Sequence, residues 1–193
     1  MARTIEFDRN EVLENAMNTF WQNGYSKTSI PNLVESTKLN PGSIYSAFKS
    51  KEGLFLETLE FYGQRSVAKL KQYFDESGSP LLAIETFLIA IVDKCKNKDK
   101  RGCLIVNTML EMSSHNKVVQ AKANKQLQAV EDELVKGLQQ AQEMGEISKN
   151  NTAEDLAKFL MVSIWGLRVL AKTNPDPEIA DIVLKQILAS LNS

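Results

Sequence analysis

Cys95, Cys103 and His115 are the only cysteines and the only histidine in the chain. Cys103 follows Gly102 and the basic pair Lys100-Arg101, at the head of an apolar run that reads as a helix. A helix N-terminus and nearby cations both favour thiolate, the reactive form of the group. Asn107, one turn later, is polar within that run and is placed to hydrogen-bond the sulfur. Cysteine is also among the most buried residue types, so core filling by Cys103 stays open beside sensing. Cys95, across a loop, is a candidate resolving thiol, provided the two Cα atoms lie within about 7 Å. Two thiols and one imidazole are too few for a disulfide framework or a zinc site. No Gly-rich phosphate loop, Gly-x-Ser-x-Gly elbow or His-Glu-x-x-His is present, so no catalytic residue, metal or cofactor is expected.

A second kind of chemistry is recognition. From Ser29 to Lys51 the chain reads as two short helices with a tight break. Ser29 caps the first, with Pro31 in its opening turn. Ile30, Leu33 and Val34 share one face of it. Asn40 and Pro41 start the second as N-cap and first helical residue. Leu39, Ile44 and Phe48 lie four to five apart and point inward. Pro41, Gly42, Ser43, Tyr45, Ser46, Ala47 and Lys49 are left outward. A face so small and so weakly charged lets a backbone approach base edges, while Tyr45, Lys49 and Lys51 reach phosphates. Two helices joined this way form a helix-turn-helix, whose second helix enters the major groove.

The run Pro-Gly-Ser-Ile-Tyr-Ser-Ala-Phe-Lys-Ser-Lys-Glu-Gly-Leu from position 41 resembles the recognition helix and following cap of the tetracycline-repressor (TetR) family of bacterial transcription factors. The resemblance implies a phosphate contact for Thr28, although capping alone also explains a hydroxyl there. Arg-Gly-Cys-Leu-Ile-Val-Asn, from position 101, resembles the branch that includes the N-ethylmaleimide-responsive repressor, in which a cysteine at this place reacts with electrophiles or oxidants. By position in that branch, Lys172 is a candidate partner for the thiol.

The elements that must hold these groups are all helical. Val12, Leu13, Ala16, Met17, Phe20 and Trp21 repeat at three and four residues after Asp8, and Gly24 stops that helix. Met1 to Phe7 reads as an arm in which Arg3 either enters a minor groove or frays. A fourth helix starts at Ser50 and continues past twenty residues to the Ser77-Gly78-Ser79-Pro80 break. Further helices follow over Leu81 to Cys95, Gly102 to Met112 and His115 to Met144, then from Thr152 to about Lys172 and beyond Pro177. Gly102 to Met112 is apolar nearly all round, so it is expected at the centre of the core. Lys94 to Arg101 is a basic connection, solvated or touching DNA.

The fold class is therefore all-α, with about nine helices. The resemblance divides it into a DNA-binding domain over 1–51, a linking helix over 51–75 and a ligand-binding and dimerisation domain over 76–193. Phe87, Met109, Met112, Phe159, Met161 and Trp165 are candidates to line a cavity there, or else plain core; such walls suit apolar or cationic ligands. The last two helices are apolar over more than one stripe and imply a partner. Pairing them across a two-fold axis gives a homodimer suited to a palindromic operator on double-stranded DNA.

Of the 193 residues 43% are hydrophobic and the formal net charge is −1, so a core is assured and bulk charge does not hold nucleic acid. No signal peptide is legible, and neither the apolar stretch Phe159 to Leu167 nor the longest uncharged one, Asn15 to Ser26, is long enough for a membrane span. A cytoplasmic regulator is expected, most simply a repressor released by a small molecule or by modification of Cys103. An all-helical adaptor that binds a partner protein and no DNA is the alternative.

Overall fold

The computed structural model describes residues 7–96, 101–173 and 176–191. Among them are nine α-helices and no strand. Each start has a local cause. Asp8 accepts from the N–H groups of Asn10 and Glu11 to open α1 (Arg9–Asn23). Ser29 and Asn32 form a reciprocal capping box on α2 (Ile30–Thr37). Asn40 caps α3 (Pro41–Phe48) through the Ser43 N–H, and Ser50 caps α4 (Lys51–Glu76) through the Gly53 N–H. A side chain at Gly53 would run into the Phe48 carbonyl. Glycine there lets α3 turn directly into α4.

The second half comprises α5 (Pro80–Lys96), α6 (Leu104–Met112), α7 (Lys117–Glu143), α8 (Ala153–Leu170) and α9 (Pro177–Leu191), with a short 3-10 turn, Ala171–Thr173, after α8. Asn116 caps α7, so that helix begins two residues later than the sequence suggests, and His115 lies exposed in the preceding turn. The long helices α4 and α7 pack side by side. Gly137 makes this possible, because a Cβ there would overlap the Phe74 ring.

Two apolar clusters form. One gathers α5, α7, α8 and α9 around Ile84, Leu88, Leu138, Leu160 and Leu167, with Leu70 from the far end of α4. The other joins α1 to α4 around Phe20, Leu33, Ile44, Phe48, Phe55 and Leu59. Each such side chain contributes about 1.5–3 kcal/mol on burial. This second cluster also contains Leu104, Ile105, Met112, Val119 and Ala123. Hence α6 is not at the centre of the C-terminal core, as its composition suggests. It is wedged between the two halves, and Leu110 on its outer side is 75% exposed.

Candidate functional site

On α3 the inward and outward sets separate except at Ala47, expected outward, which is half-buried and packs against the N-terminal cluster. Ile44 and Phe48 are buried with Leu39, while Pro41, Gly42, Tyr45, Ser46 and Lys49 are exposed and Ser43 is half-buried. Tyr45, 47% exposed, stands clear of the helix. Lys49 closes α3 with a left-handed φ of 70°, and its ammonium bonds the Ser46 carbonyl at 3.3 Å. Ser29 is exposed at the start of α2. This surface is small, polar and open.

Two more residues depart from their expected places. Thr28 is 1% exposed and its hydroxyl donates to the Gly24 carbonyl at 2.6 Å, so it ties the turn after α1 instead of facing outward. Lys51 is half-buried, its ammonium 4.2 Å from the centroid of the Tyr25 ring. Burial pushes the Lys51 amine below its ordinary range, and Glu111 partly offsets this. Arg3 and positions 97–100 of the basic connection lie outside the described residues.

Glu111, in the last turn of α6, was not singled out by the sequence. It accepts from the Tyr25 N–H at 3.0 Å and the Ser26 N–H at 2.8 Å. Burial alone would raise this carboxyl; the Ser26 and Tyr25 hydrogen bonds and the Lys51 charge outweigh it and hold the group below the usual carboxylate range. A carboxylate in the final turn of a helix opposes the dipole. That mismatch is the signal that could have exposed its role.

The other end of α6 opens on a cavity of about 640 Å³, walled by α1, α4, α5, α7 and α8 as well. Phe87, Met161, Trp165 and Cys103 line it, together with Trp21, Tyr62 and Arg168. Three of the other candidates lie elsewhere. Met109 and Met112 pack into the N-terminal cluster, because α6 faces that way, and Phe159 points outward from α8. Asn107 and Lys172 line a second hollow of about 510 Å³, beside Glu111.

Cys103 is the N-cap of α6 and its side chain makes no capping bond. Its sulfur accepts from the Tyr62 hydroxyl at 3.7 Å, not from Asn107, whose amide donates to the Arg101 carbonyl at 2.8 Å. Burial, reinforced by Cys103, pushes the Tyr62 phenol up, so the hydroxyl keeps its proton. Lys172 lies along Gly102, next to the thiol in sequence. Cys95 is a free thiol in the other cluster, donates to the Leu167 carbonyl at 3.4 Å, and is pushed up by burial. Among the described residues no group of three or more His, Cys, Asp and Glu is arranged for a metal, and no helix is long and apolar enough to cross a membrane.

Residues 12–58 match the model of bacterial regulatory proteins of the tetR family, and residues 80–187 match that of the tetracyclin repressor-like C-terminal domain. The chain belongs to the TetR family. It is 34% identical to the HTH-type transcriptional repressor ComR of Escherichia coli (strain K12) over 174 residues, 89% of this chain and 83% of that protein. The TetR family transcriptional regulator CifR, solved as a cysteine mutant complexed with 26 bp double-strand operator DNA, superposes with a TM-score of 0.77 at 28% identity, over 97% of this chain and 99% of CifR. The reduced form of E. coli NemR superposes at 0.85 over 93% of this chain and 94% of its own; at 19% identity that likeness concerns the fold alone. This TetR protein is thus a DNA-binding transcriptional regulator, and the adaptor reading is set aside.

The remaining feature of this TetR chain is an apolar stripe on its last two helices. Phe159, Val162 and Val169 of α8, and Ile179 and Ile182 of α9, are all exposed; Val162 is 63% exposed and Ile182 59%.

Proposed function

We propose that this protein is a dimeric repressor, non-enzymatic, that leaves a palindromic operator when its cavity is occupied or Cys103 is modified. The observation that carries the reading is the span of α6. Cys103, at its head, is part of the cavity wall, and Glu111, in its last turn, holds the chain between α1 and the helix-turn-helix. A helix of nine residues is about 14 Å long. A change at the cavity therefore has a short rigid path to the turn that sets α2 and α3.

In the same reading the α8 and α9 stripes of two copies pack about a two-fold axis. Two α3 helices are then presented to successive major grooves, about 34–36 Å apart. Tilting one half relative to the other changes that separation. The effector moves the balance only as far as its affinities for the two states differ. The DNA set comprises Ser29, Pro41, Gly42, Ser43, Tyr45, Ser46 and Lys49, with Lys51 contributing after release from Tyr25. The half-buried thiol of Cys103 and the Tyr62 hydroxyl that bonds it support a sensing role.

A mobility shift with DNA from upstream of the protein's own gene tests this. Specific retention that falls steeply with salt is expected, and Tyr45→Ala is expected to weaken it. N-ethylmaleimide is expected to release wild type and to spare Cys103→Ser; equal release of both ends the thiol branch.

A further inference from the structure

The cavity has a chemical bias that its apolar and sulfur-bearing lining does not suggest. Among the described residues Arg65, Lys69, Lys94, Arg101 and Arg168 stand in its wall with one carboxylate, Glu14. Glu14 is already matched by Arg65 at 2.7 Å. The wall is therefore rich in cations, contrary to the apolar or cationic ligand expected from Met and aromatic residues alone.

Donors are also left without good acceptors. Arg168 is half-buried, and its side chain makes no hydrogen bond or ion pair among the described residues. A guanidinium partly withdrawn from water without a counter-charge carries a cost, and it is built to take a carboxylate with two parallel bonds. One turn earlier on α8, Trp165 belongs to the same wall, and its buried indole N–H has no acceptor among the described residues. The Tyr62 hydroxyl, close enough for the Arg168 charge to act on it, donates only to sulfur at 3.7 Å. Sulfur is a weak acceptor. The same wall also has an apolar part: Phe87, Ile91, Leu127, Val130 and Met161.

We infer that the cavity takes an organic monocarboxylate with an apolar body, an aromatic ring or an acyl chain. Its carboxylate meets Arg168 and the Tyr62 hydroxyl, and its body lies against Phe87, Leu127 and Met161. A volume of about 640 Å³ suits a small molecule of this class. The inference rests on the reading of this cavity as the effector site, but binding and release are separate measurements.

Both tryptophans of the chain, Trp21 and Trp165, line the cavity, so intrinsic fluorescence reports its occupation directly. Full-length protein without DNA is titrated with benzoate, phenylacetate and octanoate, and with benzamide, phenylacetamide and octanamide as uncharged counterparts. At least one acid is expected to bind about tenfold or more tightly than its own amide. Arg168→Gln is expected to remove that preference, and Arg168→Lys to restore part of it, with thermal melts confirming that both variants fold. Amides that match their acids, no acid binding up to millimolar concentration, or a preference untouched in Arg168→Gln would each overturn the proposal. An acid that binds yet leaves the operator complex intact in the mobility shift counts against the switch and leaves the carboxylate site standing.

Discussion

Ile44 and Tyr45 are neighbours in sequence with opposite surroundings, one wholly buried and the other open. Ile44→Ala is expected to cost about 2–5 kcal/mol in urea unfolding, because it leaves a hole beneath α3. Tyr45→Ala is expected to change stability by less than about 0.5 kcal/mol while weakening the operator shift. Spacing alone made this division legible, since an apolar residue every fourth position defines one face. Glu111 was not legible in that way, because the N–H groups it serves lie 86 and 85 positions earlier. Its carboxyl is held below the ordinary range when folded, so its contribution is present above the unfolded value of about 4.3 and lost as pH falls through the depressed folded one. Glu111→Gln is therefore expected to lower the melting temperature by about 2–4 °C at pH 7. The difference from wild type should close as the melts are taken down towards about pH 3.

At the scale of elements, the caps and glycine stops were readable because each acts on its own few residues. Ser29, Asn40, Ser50 and Thr152 all cap as their types suggest. What α6 packs against was not readable. Composition reports how much of a helix is apolar and says nothing of which neighbour covers it. The contact of α4 with α7 shows the same limit, because it depends on one missing side chain. Gly137→Val is expected to destabilise by about 1–3 kcal/mol through overlap with Phe74. Adding Phe74→Leu to that variant should recover part of the loss in thermal melts, whereas Phe74→Leu alone should be mildly destabilising.

For the whole molecule, the exposed stripe on α8 and α9 predicts how copies associate. Val162→Glu with Ile182→Glu is expected to yield the 21.6 kDa monomer in sedimentation velocity and to abolish the operator shift while leaving helix content unchanged. A dimer that survives both charges would place the interface elsewhere. Apolarity beyond a single stripe was visible in the sequence, and so were the cavity residues Phe87, Met161 and Trp165, whereas the cationic part of the wall was not. The wall draws on residues from six helices, and Arg168, lying amid the apolar run of α8, was not singled out by the sequence.

Leu104, Ile105, Met112, Val119 and Ala123 complete the cluster that α1 to α4 begin. The half that reads DNA is therefore not a detachable cassette. A chimaera that joins residues 1–76 to the body of another regulator would inherit foreign side chains in its floor, and a fragment cut there would show raw apolar surface to its neighbours. Anyone grafting this reader onto a new sensor should carry α6 and the opening turns of α7 along with it.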